Sequence, residues 1–146
     1  MISGEFMVNI LSVKNVKKVF KSKKTSIEAI KDISFDVHDG EITAIVGTSG
    51  CGKSTLLNII AGLDTVSDGM CKFGKDNPRI SYMFQSDALL PWRTVLDNAC
   101  IGLELLGEKT QDNVKNVKRL LDEYGLGDFI NKYPRSLSGG MKQRVG

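Results

Sequence analysis

The run Gly47-Thr48-Ser49-Gly50-Cys51-Gly52-Lys53-Ser54 fills the pattern G-x-x-x-x-G-K-[ST], and its residue types suit one task, the holding of a polyphosphate. A loop of small residues lets successive backbone N–H groups turn toward one point with no side chains in the way, and phosphoryl oxygens need such dense, fixed donors. The helix expected to begin at about Lys53 adds the partial positive charge of its N-terminus. Lys53 would meet the outer phosphates as a point charge, Ser54 would offer its hydroxyl to Mg²⁺, and Thr55 could bond a phosphate oxygen nearby. Cys51 is a spectator in this scheme. The competing explanation is a Gly-rich turn that merely links a strand to a helix. The full match, with a strand-like run before it and a helical one after it, favours the phosphate.

A second stretch, Leu137-Ser138-Gly139-Gly140-Met141-Lys142-Gln143-Arg144, places a serine before two glycines and an amphipathic run. Ser138 can cap a helix whose first amides stay bare for an anion. One chain rarely needs two such sites for one terminal phosphate, so the second would face a nucleotide held by another subunit, and a dimer follows. Taken alone, Ser-Gly-Gly would be an ordinary helix cap.

The elements that must position these residues follow from periodicity. Strand-like runs are Val8 to Phe20, Ile27 to Ala29, Ile33 to Val37 and Glu41 to Val46, with Asp39-Gly40 reading as a hairpin turn between the last two. The Gly-rich loop and a helix from Lys53, ending at Gly62, come next. A weaker β stretch spans Met70 to Phe73, and Arg79 to Phe84 reads as a strand ending at Gln85. Thr94 to Leu106 and Thr110 to Tyr124 are the expected main helices, the second with Val114, Val117, Leu120, Leu121 and Tyr124 on one face. No internal repeat or low-complexity segment is present.

Composition sets the outer bounds. A chain of 146 residues, 41% hydrophobic, is one domain's worth of sequence with enough apolar material for a core. The net charge of +3 is small and the lysines are scattered, which describes a solvated surface and gives no reason to expect nucleic acid. Apolar runs such as Leu56 to Leu63 fall short of a bilayer span, and no leader-like segment opens the chain, so a cytoplasmic protein is expected. Met1 to Phe6 carry no pattern and read as a frayed or added end. Cys51, Cys71 and Cys100 have no metal-type spacing, which suits a reducing compartment. Cys71 and Cys100 read as small apolar residues.

With both glycine-bearing motifs in place, the sequence from about Val8 onward resembles the ABC transporter ATPase family. Leu137-Ser138-Gly139-Gly140-Met141 is similar to that family's signature, with Met141 where glutamine is more usual. Gln85 resembles the glutamine that contacts Mg²⁺ or the attacking water and senses the membrane partner. Phe20 lies where the family carries an aromatic that stacks on adenine; its alternative is a core position. The resemblance implies ATP and Mg²⁺ as cofactors, with ATP held by Gly47, Thr48, Ser49, Gly50, Cys51, Gly52, Lys53, Ser54, Thr55 and Phe20, and the metal by Ser54 and Gln85. Ser138, Gly139, Gly140 and Met141 would face the ATP of a second ABC ATPase subunit, a homodimer in the full form.

The stretch from Gln85 to Trp92 is similar to that of importers of nitrate, sulfonate, taurine and related anions. There it implies docking of a membrane permease, with a solute-binding protein engaged indirectly and the subunit peripheral on the inner face of the cell membrane. Local packing of Trp92 is the alternative. The implied fold is α/β, a P-loop NTPase core of the ABC ATPase type with an N-terminal antiparallel β portion, a helical subdomain and an incomplete sheet. Residues 8–86 would form the β-rich core, 87–134 the helical subdomain and 135–146 the signature with the start of its helix.

The family's acidic strand and switch histidine would follow the signature, and the chain stops at Gly146. A truncated ATPase that binds nucleotide with poor hydrolysis is therefore expected, with exposed apolar edges that favour association. Leu120-Leu121-Asp122-Glu123 imitates the acidic strand but sits on a helical period. His38, the only histidine, reads as a solvent-facing turn residue. A non-catalytic nucleotide-binding or interaction fragment is the alternative function. A soluble family member of DNA repair or translation is a third, disfavoured by the apolar loop Leu89 to Trp92.

Overall fold

The computed structural model describes residues 8–76, 78–85 and 88–146; the patternless opening Met1 to Phe6, Met7, Asn77, Ser86 and Asp87 lie outside the described residues. The chain forms two compact units, the first ending at Tyr82 and the second beginning at Met83.

In the first unit, β1 (Asn9–Lys21), β2 (Ser26–His38) and β3 (Asp68–Phe73) form an antiparallel sheet in the order β2-β1-β3. The two short strands expected at Ile27 to Ala29 and Ile33 to Val37 are one continuous element, β2. Register is set by apolar pairs across the central strand, Leu11 with Val37, Val13 with Phe35 and Val16 with Ile33. An irregularity between Val13 and Val16 places Asn15 at a φ of 46°, where its amide donates to the Ser34 hydroxyl at 2.8 Å.

Helix α1 (Lys53–Ile60) lays Leu56 and Ile59 onto Leu11, Val13, Val16 and Ile30, which closes the core of this unit. Burying each such side chain contributes about 1.5–3 kcal/mol before entropy is counted. The helix ends in a glycine, as expected: Gly62 takes a φ of 73° and its amide reaches the Ile59 carbonyl at 3.0 Å.

Two expected strands do not form. Glu41 to Val46 follows the Asp39-Gly40 turn without regular structure or ladder partners among the described residues, so that turn closes no hairpin. Only Ile45 packs on the core, whereas Ile42 and Val46 are 97% and 91% exposed. Arg79 to Phe84 is likewise not a strand. Both runs have the β-branched and aromatic residues of a strand, but strand formation depends on neighbours to pair with, and an apolar run alone does not supply them.

The second unit is helical. The expected Thr94 to Leu106 helix is broken at Cys100 into α2 (Val95–Ala99) and α3 (Ile101–Leu105), and α4 (Gln111–Glu123) and α5 (Gly139–Val145) follow. Thr94, Thr110 and Ser138 each cap the next helix by accepting an amide hydrogen bond three residues on. Val95, Leu121, Leu126, Leu137 and Val145 make the core. The apolar face of α4 is narrower than its period suggests: Val117 and Leu121 pack inward, while Leu120 and Tyr124 are exposed. Asp122 and Glu123, the imitation of an acidic strand, are helical, and Glu123 pairs with Arg119 one turn back. No helix among the described residues is long and apolar enough to cross a membrane.

Candidate phosphate-binding loop and its surroundings

Residues Gly47 to Gly52 lead the chain from the irregular Glu41 to Val46 run into α1. Gly50 and Gly52 hold φ values of 80° and 94°, a region that L side chains rarely adopt. Gly52 also lies against β2, so that a Cβ there would collide with the Ala29 carbonyl oxygen and press on Ile30 Cγ1 at 3.2 Å. It is the N-cap of α1 and supplies no side-chain cap, while its carbonyl accepts from the Leu56 amide at 2.9 Å. No acidic residue occupies the first turn of the helix. The partial positive charge of the helix end is thus left for an external anion.

The Lys53 ammonium arches back across the loop. Its Nζ donates to the Gly47 carbonyl at 2.9 Å and the Thr48 carbonyl at 2.6 Å, with Cys51 Sγ at 3.6 Å. Two hydrogens are therefore fixed on carbonyls and the third meets only a weak sulfur acceptor. An anionic oxygen would displace that contact with gain. Gly47 has its own steric reason, since a Cβ there would stand 2.7 Å from Cys51 Sγ. Ser54 is exposed and Thr55 half-buried.

Phe20 sits near the end of β1, opposite Ile27, and is 46% exposed, so it is not a core residue. Lys18 Nζ lies 4.9 Å from its ring centroid. Lys18 itself is 8% exposed, and its ammonium donates to Asp64 Oδ1 at 2.5 Å and to the Thr65 carbonyl at 2.7 Å. The Asp64 carboxyl is held below its ordinary range, first by the Lys18 hydrogen bond and then by the Thr65 amide. Lys18 passes on sequence inspection for one more scattered surface lysine; its place inside an apolar β run is the signal that could have marked it.

His38 differs from the expected solvent-facing turn residue. It is the last residue of β2, half-buried, and its backbone amide and Nδ1 both meet Glu41 Oε2, at 2.9 and 3.1 Å. Those bonds hold the Glu41 carboxyl below its usual range, the backbone bond contributing most.

In the second unit, Gln85 is exposed at a bend. Of the apolar loop, Leu89 packs against the helical core, while Trp92 is 70% exposed and so is not a packing residue. The loop is held by a residue that sequence inspection passed over. Asn98, buried on α2, accepts from the Leu90 amide at 2.7 Å and donates to the carbonyls of Leu90, Arg93 and Thr94 at 3.1, 3.1 and 2.9 Å. Arg93 forms a two-pronged bond with Glu104 at 2.6 and 3.2 Å. The signature residue Ser138 caps α5, its hydroxyl accepting from the Met141 amide at 3.3 Å, and Gly139 and Gly140 have open space where a Cβ would stand.

A glycine-lined loop opening a helix on a β unit, with a separate helical unit carrying a Ser-Gly-Gly helix start, defines a P-loop cassette as the class of fold. The family model described as ABC transporter matches residues 30–146, and the chain belongs to that family. It is 40% identical over 141 residues to the taurine import ATP-binding protein TauB of Jannaschia sp., covering 92% of this chain and 53% of the relative. To the nitrate import ATP-binding protein NrtD of Synechocystis sp. it is 41% identical over 142 residues, with 92% and 53% covered. The chain thus spans about half the length of the curated relatives it matches. A solved structure, the dimeric post-hydrolysis state of the ATP-binding cassette MJ0796 bound to ADP and Pi, superposes with a TM-score of 0.81 at 31% identity, covering 93% of this chain and 66% of that one.

Proposed function

We propose that this chain belongs to the ATP-binding subunit of an ABC importer and that it holds the triphosphate of ATP in the loop Gly47 to Thr55. The observation that carries this reading is the Lys53 ammonium, fixed by two loop carbonyls at the uncapped start of α1. Backbone amides of the loop and the helix start would bond the phosphate oxygens, and Lys53 would neutralise the outer ones. The loop's residues suit Mg²⁺ as well. Among the described residues no cluster of three or more His, Cys, Asp or Glu side chains could hold a metal, whereas Mg²⁺ needs few protein ligands when phosphate oxygens supply the rest. Ser54 would provide one such oxygen, and the metal would offset charge between the phosphates.

Phe20 takes the adenine on its exposed face. Ser138, Gly139, Gly140 and Met141 face the ATP of a second subunit, a reading supported by the dimeric state of the related MJ0796 cassette. Gln85 to Trp92, with Trp92 outward, docks a permease at the cytoplasmic face of the membrane, and a solute-binding protein delivers a nitrate-, sulfonate- or taurine-like anion to that permease. The names of the relatives support this cargo class; no group in this chain would touch the cargo.

The test is a titration of the purified chain with Mg-ATP beside Lys53→Ala, with phosphate release followed in the same samples. The variant is expected to bind about tenfold to a hundredfold more weakly, the worth of a charge-assisted hydrogen bond. Unchanged affinity in a folded Lys53→Ala chain would overturn the loop assignment. Phosphate release that depends on Lys53 would add turnover to the binding.

A further inference from the structure

We infer that Lys18 is a positioning residue for the nucleobase: its buried ammonium fixes the Phe20 ring from one side and ties that ring to the far end of the helix that opens at the phosphate loop. This rests on the proposed role of Phe20 as the adenine platform. The path is continuous within the first unit. Helix α1 starts at Lys53 and ends at Ile60, and the Asn58 carbonyl accepts from the amides of Leu63 and Asp64 at 2.8 and 3.2 Å, so the helix end sets the position of Asp64. The Asp64 carboxylate and the Thr65 carbonyl then hold Lys18 Nζ, which stands 4.9 Å from the Phe20 centroid.

Loop and strand are pinned on the backbone as well. The Ser67 amide donates to the Lys17 carbonyl at 2.8 Å, and the Val19 amide donates to the Ser67 hydroxyl at 2.9 Å. The two ends of a nucleotide site, phosphate cradle and base platform, are thereby spaced by one rigid helix and one ion pair.

The chemistry of the pair decides its role. A buried ammonium satisfied by a carboxylate and a carbonyl has little freedom, and an aromatic face near it is attracted by the ring quadrupole. Phe20 is 46% exposed, so its ring is oriented without being covered. A phenyl ring without that partner would rotate about χ1 and χ2 at a strand end, and a base stacking on it would have to order it at an entropic cost. Lys18 removes this cost before the nucleotide arrives. It contributes nothing to the phosphates, and this separates its effect from that of Lys53.

The experiment compares Mg-ATP with Mg-tripolyphosphate, which keeps the phosphates and lacks the base, in wild type, Phe20→Ala, Lys18→Met, Lys18→Arg and the double variant Lys18→Met with Asp64→Asn. The double variant guards against a fold lost merely to an unpaired buried charge. Thermal melts accompany each titration. Lys18→Met and the double variant are expected to lower the preference for ATP over tripolyphosphate about threefold to tenfold, with tripolyphosphate affinity unchanged, and Lys18→Arg to retain most of it. If Phe20→Ala removes the preference while the Lys18 variants keep it, the inference fails and the base platform stands. If Phe20→Ala leaves the preference intact, the platform reading fails and takes the inference with it. Equal losses for both ligands would reduce Lys18 to a structural tie and overturn the inference.

Discussion

Gly52 stands at the junction of loop and helix, and two separate constraints converge on it. Its φ of 94° strains any L side chain, and a Cβ would strike the Ala29 carbonyl of β2. Gly50 has a similar φ, 80°, but nothing within 4 Å of where a Cβ would be. Gly50→Ala should therefore cost only the backbone strain, about 1–2 kcal/mol, whereas Gly52→Ala adds a collision with backbone that cannot yield cheaply. Chemical denaturation of the two variants should place Gly52→Ala clearly below Gly50→Ala, with Mg-ATP binding lost in Gly52→Ala. Equal stability would mean that β2 gives way and that the contact with Ala29 does not shape the loop.

The helices of the second unit depend on side chains that bond backbone. Asn98 meets four backbone groups with one buried amide and thereby shapes Leu90 to Thr94. Asn98→Ala leaves those groups without partners and should cost about 2–3 kcal/mol, read as a lowered denaturation midpoint. Trp92→Ala, at a residue 70% exposed, should leave the midpoint unchanged, and a comparable loss there would show that Trp92 packs and is not a free docking residue. The sequence revealed the elements whose causes lie in consecutive residues: the glycine loop, the Ser138 cap and the end of α1 at Gly62. It misled where pairing decides, because Glu41 to Val46 and Arg79 to Phe84 carry strand residues without strand neighbours. Lys18 and Asn98 stayed hidden for a related reason, since a polar side chain reveals burial only through its partners. For Lys18 these are Asp64 and Thr65, dozens of positions away, and for Asn98 they are carbonyls and an amide that any residue could present.

At the scale of the whole molecule, acid sensitivity is concentrated in the β unit. The Asp36 carboxyl is held far below its ordinary range, chiefly by the Ser12 hydroxyl and then by Lys14; Asp64 is lowered first by Lys18, and Asp68 by the Gly69 amide and then Lys17. Each folded pKa lies below its unfolded value, so on acidification the unfolded chain takes up protons first. The stability these carboxylates contribute is present above the ordinary carboxylate range and is lost as pH falls through and below it. The melting temperature should hold from neutrality to about pH 5 and fall below about pH 4, and Ser12→Ala should make that fall shallower. A melting temperature that rose in acid would contradict these pairings.

The helical unit carries the anchored loop of Leu90 to Thr94 and the serine-capped start of α5 on one packed core, Val95 with Leu121, Leu126, Leu137 and Val145. Arg144 adds a bond from α5 to the Tyr124 carbonyl at the end of α4, at 2.8 Å. A close-packed interior does not absorb displacement gradually. In mechanical terms the unit is built like a lever arm: the anchored loop beside Trp92 and the helix start at Ser138 rest on the same close-packed core.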